Sequence, residues 1–209
     1  ADDRRFTRHH GTDFLDHLAN ITSVCLENAI NRARLVRSGI TDVLTGWNNR
    51  RYLQNRLLEE LARAQRNDTS LACLLIDVDH FKSVNDNFGH LAGDFVLKEI
   101  ADRVEAQVRA SDVAARYGGE EFALLLPDTR ARDALILAER IREAIDRGPV
   151  VLDSGQRIPV TVSIGISSVR PARSAADLKS LGEKLIAEAD VQLYRAKSDG
   201  RNAVRRAED

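Results

Sequence analysis

The sequence predicts an α+β domain: a mainly antiparallel sheet with helices on its faces. Three observations lead there. Helical and strand-like periodicities alternate from about residue 50 to the end of the chain. The run "LACLLIDVD" (71–79) is continuously apolar until it meets two aspartates, as a strand buried on both faces would be. "DVAARYGGEEFALLLP" (112–127) sets two strand-like runs around a pair of glycines, the pattern of a hairpin.

In chain order, residues 13–37 read as one long amphipathic helix, with Phe14, Leu18, Ile21, Cys25 and Ala29 at three- and four-residue steps. Its apolar stripe has no partner in its own segment, so it is expected to pair with another chain or continue an upstream domain. Ser38-Gly39 ends it. The loop "TDVLTGWNNRR" then leads into a helix over 50–66. After the buried strand, "HFKSVNDNFGHLAGDFVLKEIADRVEAQVRA" reads as helix, a break at Gly89, and helix. The hairpin pairs 112–116 with 122–126, and Gly118-Gly119 is expected to supply positive φ at its turn. A helix over 132–146, a β turn at Asp153-Ser154-Gly155, a strand in "IPVTVSIGISSV", a helix from Asp177 to Gly200 and a short last strand in "RNAVR" complete the chain.

Composition excludes several classes. With 31 basic and 32 acidic residues the net charge is −1, which gives no general attraction to nucleic acid or to an anionic membrane. No apolar run reaches the roughly 18 residues of a membrane span, so no membrane insertion is expected of this segment. Cys25 and Cys73 have no metal-ligand spacing and read as buried thiols of a reducing, cytoplasmic compartment. The chain begins at Ala1 and holds no methionine, so it is expected to be a piece of a longer protein. The basic stretch 195–206 has no aromatic stripe beside it and does not read as a nucleic-acid site.

The chemistry gathers at one edge. Asp77 and Asp79 emerge at the carboxyl end of the buried strand, where ligand sites of α/β sheets collect. If the hairpin pairs beside that strand, Glu120 and Glu121 join Asp77. Carboxylates so close repel one another and call for protonation or a cation. Hard oxygen ligands favour magnesium, which takes one or two carboxylates and completes its shell with water and phosphate oxygens. A glycine pair lets backbone approach a phosphate, and the helix starting near Phe81-Lys82 offers amide donors to anionic oxygens. Together these features point to a nucleoside-triphosphate site.

At these residues the chain resembles the diguanylate cyclase (GGDEF) domain family. "RYGGEEF" (116–122) is similar to its signature in the GGEEF form. "DVLTGWNNRR" (42–51), "LLIDVDHFKSVNDNFGHLAGD" (74–94), "TVSIGIS" (161–167) and "ADVQLYRAKSDGRN" (189–202) match in order and spacing. The family's usual Leu-Pro pair in the first of these is Trp47-Asn48 here.

The resemblance implies a palm-like domain over 40–209, related to nucleotidyl cyclases, after a tail and signalling helix over 1–39. It implies a homodimer, joined through the N-terminal helix, whose facing active sites condense two GTP into cyclic di-GMP and release two pyrophosphates. Asp77, Glu120 and the Val78 carbonyl would hold Mg2+, or Mn2+ in its place, and Glu121 would be catalytic or close to the metal. Asn85 and Asp94 would read guanine. Phe81, Lys82, Gly118, Gly119, Lys197 and Arg201 would contact the triphosphate. Arg109, Asp112 and Arg140 would form an inhibitory site for the cyclic di-GMP product. The other reading is a catalytically silent module that binds GTP or cyclic di-GMP.

Overall fold

The computed structural model describes residues 18, 19, 21–23, 25–27 and 39–207. The chain divides into two units, Ala1–Ile40 and Thr41–Asp209. In the first, the described residues between 18 and 27 are helical, and Leu18, Ile21 and Leu26 are exposed at 50%, 55% and 60%. The rest of the helix expected over 13–37 lies outside the described residues. Cys73 is buried as expected, but Cys25 is exposed, on a helical segment whose described apolar residues Leu18, Ile21 and Leu26 are exposed as well.

The second unit is built on a six-stranded sheet in the order β1-β3-β4-β2-β7-β8. Its strands are β1 (Asn48–Asn49), β2 (Leu71–Val78), β3 (Val113–Arg116), β4 (Glu121–Pro127), β7 (Val162–Val169) and β8 (Val204–Arg206). A separate ribbon pairs β5 (Val150–Val151) with β6 (Arg157–Ile158). The four central strands pair antiparallel, and the edge pairs β1–β3 and β7–β8 are parallel. The two-residue β1 is too short to show a period, so the sequence reads it as loop.

Five helices cover the sheet: α1 (Arg50–Asn67), α2 (Phe81–Phe88), α3 (His90–Glu105), α4 (Ala131–Asp146) and α5 (Leu178–Ser198). Asn49 caps α1 by accepting from the Tyr52 amide at 3.1 Å, and Asp177 caps α5 by accepting from the Ser180 amide at 2.9 Å. Every residue of β2 is buried, and its side chains alternate between two cores. Ala72, Leu74, Ile76 and Val78 pack with residues of α2, α3 and α4. Leu71, Cys73 and Leu75 pack with Leu53, Leu57 and Leu61 of α1 and with Leu185, Ala189 and Leu193 of α5. Asp77 has the parity of the second set, so it emerges on the face that α5 covers.

One expectation of the hairpin fails. Neither Gly118 nor Gly119 has a positive φ; among the described residues the left-handed glycines are Gly46, Gly89, Gly155 and Gly200. Residues 117–120 form a wider loop, closed by the Tyr117 and Gly118 amides donating to the Glu121 carbonyl at 2.7 and 3.1 Å. What Gly118 gives instead is room for Glu121: a Cβ there would stand 2.3 Å from its carboxylate, which would have to swing aside.

Gly165, in the middle of β7, answers a stricter demand. A Cβ there would lie 2.1 Å from the Ala189 carbonyl oxygen and 2.2 Å from the Leu193 nitrogen, so α5 rests directly on strand backbone. Backbone on both sides cannot move aside as a side chain can. Gly165→Ala is expected to lower stability by about 2 kcal/mol or more, read as a fall in the urea midpoint. Gly119→Ala, where an added Cβ meets nothing within 4 Å, is expected to change it by less than about 0.5 kcal/mol.

Candidate functional site

The register of β2 against β4 builds the site. Asp77 stands opposite Glu121, and the Val78 amide donates to the Glu120 carbonyl at 3.3 Å. Opposed residues of an antiparallel pair share a face, so the hairpin delivers its two glutamates to the end of the buried strand. Lys197, in the last turn of α5, places its Nζ 2.7 Å from Asp77 Oδ2. Gly165 permits that reach by letting α5 lie close to the sheet.

Asp77 is 5% exposed. Burial pushes its carboxyl above the ordinary value, the Lys197 ammonium pulls against that, and Glu121 and Asp79 push it further up. Glu120 is raised as well, by burial first and then by Asp77. One ammonium thus serves a cluster of carboxylates that remains short of positive charge. A divalent cation held by Asp77 and Glu120 would supply what is missing, so these residues fit a metal. Their number suits an ion that fills its shell with water and phosphate oxygens.

Asp79, also 5% exposed, is satisfied differently. Its Oδ2 accepts from the Thr161 hydroxyl at 2.7 Å and the Asn202 amide at 2.9 Å, and its Oδ1 accepts from the Ser163 hydroxyl at 2.7 Å.

The helices on the far side of the strand end carry the residues expected at guanine. The Asn85 carboxamide lies so near Gly93 that a Cβ there would be 2.0 Å from Asn85 Oδ1. Asn85 on α2 thereby lies against Gly93, the residue before the exposed Asp94 on α3. Phe81 is 7% exposed and packs in the core, so what it can offer a phosphate is its backbone. Ser83 and Val84 donate to the His80 carbonyl at 2.8 and 3.3 Å, which leaves the Phe81 and Lys82 amides ahead of any helical acceptor. The Lys82 and Arg201 side chains are exposed.

The hairpin tip is braced by residues whose role sequence reasoning missed. Arg116 donates to both oxygens of Asp42 at 3.2 Å and to the Gly119 carbonyl at 2.6 Å. Asp42 also accepts from the Thr45 amide at 2.9 Å and hydroxyl at 2.8 Å. Burial alone would raise the Asp42 carboxyl; Thr45 and Arg116 together outweigh it and hold the group below its ordinary value. The Arg50 guanidinium lies 4.4 Å from the centre of the Tyr117 ring. The signal that could have found this brace was an arginine next to the glycines with no surface role of its own.

A second cleft, of about 250 Å³, lies between the end of α3 and α4 and is lined by Arg109, Asp112, Thr129, Asp133 and Arg140 among others. Asp112 accepts from the backbone amide of Arg109 at 2.8 Å, so the pair forms a turn. Among the described residues it makes no ion pair, and the Arg109 side chain is exposed. Arg140 donates to the Gln107 carbonyl at 2.5 Å across the cleft.

The model of the family described as diguanylate cyclase, GGDEF domain, matches residues 39–203. The chain is a GGDEF-domain protein. It is 42% identical over 192 residues to the response regulator PleD of Caulobacter vibrioides, covering 91% of this chain and 39% of that protein. It is 37% identical over 204 residues to diguanylate cyclase A of Treponema denticola, covering 94% of this chain and 52% of the relative. The chain thus spans about two fifths to one half of these curated relatives. Among solved structures it resembles the coiled coil and GGDEF domain of DgcB from Caulobacter crescentus in complex with c-di-GMP. That match has TM-score 0.83 and 28% identity, and covers 93% of this chain and 99% of that one. The diguanylate cyclase SiaD of Pseudomonas aeruginosa, solved with its activator SiaC, aligns with TM-score 0.73 and 36% identity, over 95% of this chain and 74% of that one. The palm-like α+β fold expected from the sequence is therefore the fold of the GGDEF family. Among the described residues no helix is long and apolar enough to cross a membrane.

The charge balance of the GGDEF site gives a test that needs no substrate. In chelator-treated protein the folded-state carboxyls of Asp77 and Glu120 bind protons more readily than in the unfolded chain. Their contribution to stability is present at low pH and is lost as pH rises through their raised pKa values. Glu120→Gln removes one member of the repelling set, so it is expected to raise the melting temperature of metal-free protein at pH 7. The same substitution is expected to shrink the further rise given by added Mg2+. Thermal melts with chelator and with Mg2+ read both; a metal-free variant that melts below wild type would contradict the repulsion.

Proposed function

We propose that this GGDEF domain is a diguanylate cyclase, condensing two GTP into cyclic di-GMP with release of two pyrophosphates. The observation that carries the reading is the buried Asp77, opposite Glu121 and beside Glu120, with the Lys197 ammonium against it. Asp77, Glu120 and the Val78 carbonyl are assigned to a divalent ion, Mg2+ first and Mn2+ as its substitute. That ion would polarise the α-phosphate and offset the charge of the triphosphate. The exposed Gly119, where nothing crowds the backbone, and the first-turn amides of Phe81 and Lys82 give the phosphates room and donors. Lys197, Lys82 and Arg201 add positive charge where negative charge builds.

Each GTP 3′-oxygen attacks the α-phosphorus of the other GTP and displaces pyrophosphate, and the 3′-hydroxyl gives up its proton. Glu121, left over once Asp77 and Glu120 hold the ion, is the carboxylate assigned to that catalytic position. Asn85 and Asp94 can together face a guanine edge, the carboxylate accepting from the ring N–H and amino group. A two-fold product from identical substrates calls for two facing half-sites, so the working unit is a homodimer. The exposed Leu18, Ile21 and Leu26 of the N-terminal segment supply an apolar face for it. Residues 1–39 are accordingly assigned to a signalling helix and 40–209 to the catalytic domain, acting in the cytoplasm.

Incubating the chain with GTP and Mg2+ and separating the products tests this directly. Cyclic di-GMP and pyrophosphate are expected in a ratio of one to two, with specific activity rising as protein concentration rises. Glu120→Gln is expected to cut turnover by at least about 100-fold. GTP bound without any product by correctly folded protein, at all concentrations, would refute the cyclase assignment.

The cleft of Arg109, Asp112 and Arg140 is assigned to inhibitory product. Exposed guanidinium groups on two sides suit a guanine edge and a phosphate. Arg109→Ala is expected to leave initial rates near wild type and to raise the cyclic di-GMP concentration for half inhibition about tenfold or more. Equal inhibition of both proteins would remove Arg109 from a product site.

A further inference from the structure

We infer that Asp79 is a positioning residue, fixing the backbone of the loop after α5 so that Arg201 is presented to the nucleotide's phosphates. The inference rests on the reading of Arg201 as a phosphate contact. Asp79 is 5% exposed, and among the described residues no lysine or arginine forms an ion pair with it. Three donors satisfy it instead. The hydroxyls of Thr161 and Ser163 hold it against β7 and the residue just before it, and the third donor, the Asn202 amide, comes from a loop 123 positions along the chain.

That loop has an unusual backbone. Gly200, Arg201 and Asn202 have φ of 109°, 65° and 44°, three left-handed residues in succession, two of them bearing a Cβ. Such conformations persist where surrounding contacts over-determine them. Here the Arg201 amide donates to the Ala196 carbonyl at 3.1 Å, which ties the loop to the end of α5. The Asn202 side chain accepts from Arg142 at 2.9 Å and donates to Asp146 at 3.1 Å, which ties it to α4. The Ala203 carbonyl accepts from the Ile164 amide at 2.9 Å. Asp79 is the anchor that ties Asn202, the residue next to Arg201, to the strand end that carries Asp77. A charged acceptor holds an amide more firmly than a neutral one. A buried carboxylate satisfied by donors from β7 and from this loop has its best physical account as the pin between them.

Two readouts test this on the full chain. The first is hydrogen–deuterium exchange of residues 199–203 without nucleotide; the second is the KM–kcat split for GTP with Mg2+. Asp79→Ala is expected to speed exchange in 199–203 and to raise KM about tenfold, with kcat changed much less. In an Arg201→Ala background, Asp79→Ala is expected to raise KM no further, because its effect passes through Arg201. An effect passed through Asp77 would persist in that background, and such additivity would overturn the inference. Should Asp79→Ala not fold, Asp79→Asn, which keeps the shape and loses the charge, carries the same comparison with smaller shifts. Wild-type exchange and KM in the Asp79 variant, beside a raised KM in Arg201→Ala, would overturn the inference alone. A wild-type KM in Arg201→Ala would overturn the reading of Arg201 and the inference with it.

Discussion

Two aspartates two residues apart at the end of one buried strand set the problem that this fold solves. Asp77 and Asp79 are equally buried, and an isolated buried carboxylate is costly. Asp79 is settled by geometry: three donors surround it, and its charge serves as a structural pin. Asp77 is left unsettled, with one ammonium against it and two more carboxylates nearby. The difference follows from where the chain leaves the strand. Asp77 keeps the parity of the α5 face, whereas Asp79 falls beyond the last strand residue, where the backbone turns toward the left-handed His80. The rest of the domain can be read as support for that asymmetry. Gly165 brings α5 close enough to supply Lys197, and β4 delivers Glu120 and Glu121.

Much of this was legible in the chain because burial on two faces leaves an unmistakable run of apolar residues. β2, the hairpin strands, the break at Gly89 and the four long helices follow from periodicity and punctuation. The convergence of Asp77, Glu120 and Glu121 required only that the hairpin pair beside β2, which it does. What stayed hidden depends on contacts that sequence spacing does not encode. Arg116 and Asp42 are 74 positions apart, and Asp79 and Asn202 are 123 apart. The role of Gly118 was misread for a related reason: turn chemistry is local and easily assigned, whereas clearance for the Glu121 carboxylate depends on a side chain's path. The sequence also offers two identical residues in "DVD" with no sign that one is pinned and the other poised.

The departure from the family pattern at Trp47-Asn48 fits the same scheme. Trp47 is buried and meets Phe122 edge to face, with ring centres 5.4 Å apart, at the start of β4. Asn48 begins the parallel pairing with β3, and its side-chain amide donates to the Ala114 carbonyl at 2.8 Å. Proline at that position could supply no such donor. Asp42 reaches Arg116 from the same segment, and Arg50 lies over Tyr117. The segment from 42 to 50 therefore grips both strands of the hairpin and its tip, on the side away from β2. A loop with two glycines loses much conformational entropy when ordered. The tip is held from both sides: β2 fixes the register of Glu121, and the 42–50 segment, through Asp42, holds the Arg116 that donates to the carbonyl of Gly119. The residues at 47 and 48 add to that second grip with an aromatic edge and an amide, so the departure leaves the support of the GGEEF hairpin intact.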